Sequence, residues 1–266
     1  MTSVLIRGAG EMASGTAHRL HAVGYKLIMT ELPHPLAVRR GVSFAQAVFD
    51  GRTQVEGVEA VHVANIAEAV RVSSLGRIPV LTQEIDVDSH ASMQVAALVD
   101  ARLAKENLGS GIDEAKVVIG LGPGFIAGAD AHAVIETNRG HDLGRVLYTG
   151  SALANTGNPG DIGGYREERV LKSVAAGIFS SSVRIGDLIA PGDIFGHLDG
   201  SPILAPIKGI VRGLLMNGTW VTAGTKLGDI DPRGIREYCY TISEKARAIA
   251  GGVLEALLHL GGGVSQ

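Results

Sequence analysis

Val4-Leu5-Ile6-Arg7-Gly8-Ala9-Gly10-Glu11-Met12-Ala13-Ser14-Gly15 reads as a short buried strand, a glycine turn and the first turn of a helix. Gly8 and Gly10 take the first two places of a G-x-G-x-x-G/A pattern, and Ala13 takes the third, where a small side chain lets helix and strand pack closely. The first amides of such a helix have no intrahelical acceptor and stand at the positive end of its dipole. A phosphate is therefore expected on the backbone around Gly10, with Gly8, Met12, Ala13 and Ser14 completing the turn. Glu11 dissents, because it sets a carboxylate where that phosphate would lie.

The stretch that follows fits a βαβ unit. Ala13, Ala17 and Leu20 recur at helical spacing, Gly24 follows as a C-terminal cap, and Lys26-Leu27-Ile28-Met29-Thr30 reads as a second strand. Glu31 closes that strand near the offset at which an acidic residue bonds a ribose hydroxyl in a Rossmann fold. Arg39 and Arg40 lead into a helix capped by Ser43. Val61 to Val63, Ile78 to Leu81, Ala96 to Ala101 and Val117 to Leu121 then continue as strands, with Asp100 and Lys105 at one carboxyl end and the Gly122-Pro123-Gly124 turn at another. A short strand, Ala133 to Ile135, opens into the polar cluster Glu136-Thr137-Asn138-Arg139-Gly140-His141-Asp142. His141 beside Asp142 invites an acid/base reading, and an exposed loop histidine is the plainer one.

Past Leu171 short β segments replace the alternation, and Gly186, Ile189, Gly192 and Gly196 recur 32 residues later as Gly218, Val221, Gly224 and Gly228. Between the halves, Leu204-Ala205-Pro206-Ile207-Lys208-Gly209-Ile210-Val211 resembles the signature of biotinyl and lipoyl domains. The hairpin tip at Leu198-Asp199-Gly200-Ser201 has no lysine, so neither biotin nor lipoate is expected. A last helix begins after Ser243, a plausible cap, and runs through Ala246, Ile249, Val253 and Leu257 to a glycine-rich tail. The expected architecture is thus α/β: a Rossmann-like parallel sheet in a nucleotide- or phosphate-ligand-binding domain (1–170), a small β barrel-sandwich module (171–235), and a C-terminal helix with its tail (236–266).

Composition narrows the partners. A net charge of −3 gives no electrostatic reason to expect nucleic acid or an anionic membrane. The single cysteine, Cys239, forms no internal disulfide, and the absence of a leader or an 18-residue apolar run agrees with a cytoplasmic protein. Cys239 reads first as a small buried hydrophobe and second as a sulfur- or selenium-handling group. No metal site is expected.

Taken in order, Ile6 to Gly15, Val99-Asp100-Ala101-Arg102-Leu103-Ala104-Lys105, Gly122-Pro123-Gly124-Phe125, Glu136 to His141 and Gly228-Asp229-Ile230-Asp231-Pro232-Arg233 resemble the YqeB family, accessory proteins of the selenium-dependent molybdenum hydroxylase system. There is a looser similarity to XdhC-type maturation factors. The resemblance implies a bacterial cytosolic maturation protein whose partners are a molybdenum hydroxylase or other maturation factors, with a homo-oligomer also open. Its cofactor candidates are NAD(P), another nucleotide, and molybdopterin or its dinucleotide. The phosphate-bearing ligand is expected at Gly8, Gly10, Met12, Ala13, Ser14, Glu31, Asp100, Gly122, Gly124, Asn138 and Arg139. Two rivals stand beside this reading: an NAD(P)-dependent oxidoreductase using His141 with Lys105 or Arg139, and a docking adaptor for the hydroxylase.

Overall fold

The computed structural model describes residues 3–83, 85 and 87–261, so the tail beyond Gly261 lies outside the described residues. The chain divides into two units. The first comprises Met1–Pro35, Ser43–Thr156 and Ile242–Gln266; the second comprises Leu36–Val42 and Gly157–Thr241. Residues 157–170 thus go with the second unit and the last helix with the first, a different partition from 1–170, 171–235 and 236–266.

The first unit begins with β1 (Ser3–Arg7), α1 (Glu11–Ala22), β2 (Lys26–Thr30), α2 (Gln46–Asp50), β3 (Arg52–Val55), β4 (Val58–Val63), α3 (Ile66–Ser74) and β5 (Ile78–Leu81). It continues through α4 (Val87–Ser92), β6 (Val95–Asp100), β7 (Val117–Leu121), β8 (Ala133–Ile135) and β9 (Val146–Leu147). The helix α5 (Glu244–Leu260) completes it. The helix expected from Ser43 starts later, with Ala45 at its N-cap.

The nine strands form one sheet in the order β3-β4-β5-β2-β1-β6-β7-β8-β9. Its middle is parallel and aliphatic, with Leu5, Ile28, Leu81, Leu98 and Val118 in one core cluster. Both edges are antiparallel: β3 pairs with β4, and β9 with β8. The first of these pairings follows from a two-residue turn. Glu56 (φ 43°) and Gly57 (φ 87°) both take the left-handed conformation that matches strand twist in a tight hairpin, so the chain reverses directly instead of crossing over.

The second unit holds β10 (Val170–Lys172), β11 (Gly177–Ser180), β12 (Leu188–Ile189), β13 (Ile194–Leu198), β14 (Ser201–Leu204), β15 (Gly209–Leu214), β16 (Thr219–Val221) and β17 (Lys226–Asp231). They form two four-stranded antiparallel sheets, β10-β17-β15-β12 and β14-β13-β11-β16. Phe179 and Phe195 from one sheet and Val211, Leu227 and Ile230 from the other share one core.

These sheets correct the expected fold. The large sheet is mixed, not the Rossmann-like parallel sheet read from the βαβ rhythm, and the β region makes two antiparallel sheets in place of a barrel-sandwich (biotinyl/lipoyl-like) module. The expected C-terminal helix is present as α5, which packs on α1 within the first unit. Hydrophobic periodicity identifies strands and carries no information on the direction in which an edge strand pairs.

Candidate functional site

Strand register determines which side chains meet. Arg7 lies level with Thr30 on one side and Asp100 on the other; Asp100 pairs with Gly120, and Leu121 with Ile135. Backbone bonds extend the alignment past the strand ends: Gly8 donates to Thr30 at 2.8 Å, Ala101 to Arg7 at 2.9 Å and Gly122 to Ile135 at 2.9 Å. Gly8, Glu31, Ala101, Gly122 and Glu136 therefore stand along one carboxyl-end edge of the sheet.

At this edge the first turn is closed by its own protein groups. The Glu31 carboxylate accepts the amide of Ala9 at 2.8 Å and of Leu32 at 2.7 Å. Burial raises its pKa above the usual carboxylate value, and these two amides only partly oppose that rise. Gly8 has φ 93°, and a β-carbon there would lie 3.2 Å from the carbonyl oxygen of Ala101, so backbone packs on backbone. Ser14 is buried; its hydroxyl donates to Ala9 O at 2.9 Å and accepts from Phe44 N at 2.7 Å. Met12 and Ala13 are buried in the same helix. Gly10 is the N-cap of α1, makes no side-chain cap bond, and leaves open space where a β-carbon would be.

Asp100 belongs to an ion chain. It takes the Arg102 guanidinium and the Ser110 hydroxyl, the latter at 2.7 Å. Arg7 bonds the same hydroxyl at 2.6 Å and lies 2.6 Å from Glu114. Burial alone would raise both carboxyls; the hydrogen bonds and charges of Arg102 and Ser110 on Asp100, and of Arg7 on Glu114, outweigh it and hold both below their usual values. This chain binds the 101–114 segment to the sheet edge, and Gly124 adds a close contact, since a β-carbon there would meet the Glu106 backbone at 2.6 Å.

The group that sequence reading missed is Lys245, in the first turn of α5. Ser243 caps that helix by accepting the Ala246 amide at 3.3 Å. A lysine in a first turn stands at the wrong end of the helix dipole, and that placement after a recognisable cap was the available signal. Lys245 is half-buried, and among the described residues its ammonium takes no hydrogen bond or ion pair within 4 Å. Loss of hydration, then the charge of Arg139, push its pKa down; Glu11, Glu136 and Glu244 pull the other way without cancelling the fall. Arg139 is held by Glu244. Glu136 is buried and accepts the amides of Asn138 at 2.6 Å and Leu153 at 2.8 Å. A partly desolvated amine flanked by carboxylates can serve as nucleophile or general base.

Other expected residues scatter. Gly122 packs against Thr137, where a β-carbon would meet Oγ1 at 2.5 Å. Asn138, His141 and Lys105 are exposed. Cys239 lies in the second unit, fully buried, with its thiol 3.7 Å from Val211 O; burial, the largest influence on it, raises its pKa. Among the described residues no three His, Cys, Asp or Glu side chains come together as metal ligands, and no helix is long and apolar enough to cross a membrane.

No family profile matches the chain. A curated relative does: the uncharacterized protein YqeB of Escherichia coli (strain K12) is 51% identical over 261 residues, which is 97% of this chain and 47% of that protein. Over this length the chain is a homologue of YqeB. The likeness supports the YqeB family read from the motifs, and the chain spans about half the length of YqeB. Its printed name assigns no role in a hydroxylase system.

The similar solved structures carry other descriptions. An ectoine utilization protein EutE (DoeB) from Ruegeria pomeroyi is 10% identical, with 85% of this chain and 56% of that one covered at a TM-score of 0.24. An aspartoacylase family protein from Mesorhizobium loti is 13% identical, with 86% and 84% covered at 0.29. A succinylglutamatedesuccinylase/aspartoacylase from Rhodobacter sphaeroides is 10% identical, with 86% and 85% covered at 0.23. Scores this low transfer neither fold nor activity. The expected function is corrected on the geometry of the turn that was to hold its ligand: accessory protein of a selenium-dependent molybdenum hydroxylase, nicotinamide oxidoreductase and hydroxylase adaptor are all set aside. Glu31 shows the physical reason at the turn, because the backbone takes both of the oxygens expected on a ribose.

Proposed function

We propose that the first unit is a small-molecule site protein whose reactive group is the amine of Lys245, set at the carboxyl-end edge of the sheet. The observation that carries this reading is a half-buried lysine in the first turn of α5, beside the Glu244 that holds Arg139 and within the electrostatic reach of Glu11 and Glu136. Such a lysine costs folding energy, since loss of hydration disfavours its charged form. A costly group at a strand-end edge is a feature of sites that act on small molecules.

Within this reading Lys245 exchanges protons or bonds with the ligand, Glu11 and Glu136 balance its charge, and Glu244 holds Arg139 nearby. The Arg7–Glu114 and Arg102–Asp100 pairs keep the adjoining segment fixed. Thermal denaturation against a panel of small carboxylates, amines, aldehydes and ketones tests it. At least one class should raise the melting temperature of wild type and have no effect on Lys245→Met. Equal shifts in both proteins, or none in either, would remove the support for the site.

A further inference from the structure

An antiparallel sheet with one wet face turns its apolar residues inward and its polar and charged ones outward. The sheet β14-β13-β11-β16 of the second unit breaks that rule. Its inner face gives Phe179, Phe195 and Val221 to the core of the unit. On the other face, strand register sets Ile178 opposite Trp220 and Ile194 opposite Leu204. All four are exposed, Trp220 by 62% and Ile178 by 52%. None of the four strands contains an Asp, Glu, Lys or Arg. An uncharged apolar patch with an exposed tryptophan has the composition of the middle of an interface. The companion sheet differs, because its β17 is buried from Leu227 to Asp231, with Asp229 and Asp231 holding Arg169 and Arg212.

Size and edge chemistry narrow what covers this face. Pro202 interrupts the edge strand β14, which disfavours strand addition there and leaves the face itself as the surface to be covered. Four strands about 4.8 Å apart and about 10–17 Å long make a face of roughly 300 Å². A free-standing complex buries about 800 Å² on each partner, so this face is too small for one. It matches the low end of contacts between domains of one chain, where tethering supplies a high effective concentration. More than half of YqeB lies outside its match to this chain, so the family carries a region that can be tethered in this way. We propose that the outer face of β14-β13-β11-β16, anchored by Trp220 and Ile178, docks that region of YqeB-type proteins. The surface it meets is apolar, since a charge set against Ile178 or Ile194 would lose its hydration without gaining a partner.

The test compares three proteins: this chain alone, the chain fused to the unmatched region of Escherichia coli YqeB in its YqeB order, and the chain fused to an unrelated domain of equal length. Hydroxyl-radical footprinting with peptide mass spectrometry reads side-chain exposure, and Trp220 is the one tryptophan of the chain. Labelling of Trp220 should be high in the chain alone and in the control fusion. In the YqeB fusion it should fall about fivefold, the protection of a tethered contact closed most of the time, with Ile178 and Leu204 protected alongside. The double variant Trp220→Ser, Ile178→Ser should leave the melting temperature of the chain alone within about 2 °C, because both residues are on the solvent side. In the YqeB fusion the same variant should return Leu204 to its labelling in the control. Equal labelling of Trp220 in the two fusions would overturn the proposal. Protection in the chain alone that grows with protein concentration would overturn it as well, by making a second copy the occupant.

Discussion

The carboxylate of Glu31 accepts the amide of Ala9 at 2.8 Å, so the end of β2 clasps the turn that leaves β1. Because burial raises the Glu31 pKa, the folded chain holds that proton more tightly than the unfolded chain does. The contribution is therefore fully present below the unfolded value and is lost as pH rises through the folded one. Glu31→Gln leaves one of the two amides without its acceptor and should cost about 1 kcal/mol at low pH. Urea midpoints of the two proteins should converge as pH rises; a gap that widens would contradict the assignment.

Several carboxyls behave in the opposite sense. Asp100, Glu114, Asp229 and Asp231 are all held below their ordinary values because hydrogen bonds and the charges of neighbouring arginines, with Lys226 leading at Asp229, outweigh burial. A depressed folded pKa contributes stability present above the unfolded value, about 4, and lost as pH falls through the folded value. Acid unfolding followed by circular dichroism should therefore begin below about pH 4. In the second unit Arg169 and Arg212 flank the buried Asp229, so Asp229→Asn should cost about 3–5 kcal/mol by taking the carboxylate from the buried Arg169, while Arg212 keeps Asp231. A loss under 1 kcal/mol in urea titration would show that the pair is dispensable.

Helix packing gives an independent check on the first unit. A β-carbon at Gly15 would lie 2.8 Å from that of Ala246, one position beyond Lys245. Gly15→Ala should destabilise the chain by about 1–3 kcal/mol, even though alanine is the better helix former, because α5 must shift. An unchanged or higher melting temperature would mean that the two helices are not in this contact.

Cys239 should be inert while the chain is folded. It is fully buried, and burial is the main influence raising its thiol pKa, so thiolate is scarce. A thiol-specific disulfide reagent should react with it only after denaturant is added, at the rate of unfolding. Rapid reaction in buffer would restore the sulfur-handling reading.

Legibility in the sequence followed the range of the interactions. The strand–turn–helix at Gly8 to Gly15 and the Ser243 cap depend on neighbours a few residues apart, and both were readable. The edge pairings of β3 and β9 were not, since alternating apolar residues say nothing about strand direction. His141 stood out by composition yet is exposed. Lys245 was hidden because its surroundings come from Glu11, Glu136 and Arg139, more than 100 residues away, and only its place in a helix first turn pointed to it.

The cost of Lys245 also has a sign. A folded pKa below the unfolded one penalises the fold at pH values under the folded pKa, and the penalty is relieved as pH rises toward the unfolded value. Lys245→Met should therefore raise stability at pH 7 by about 0.5 kcal/mol or more while abolishing ligand shifts, a trade of stability against function. A clear destabilisation would mark the lysine as structural.

The most direct measurement is a pH titration of the lysine side-chain amines by nitrogen-15 correlated NMR, assigned by comparison with Lys245→Arg. Lys245 should titrate below the other six lysines and shift when a small molecule that binds is added. Titration together with the others, unmoved by any small molecule, would contradict the account.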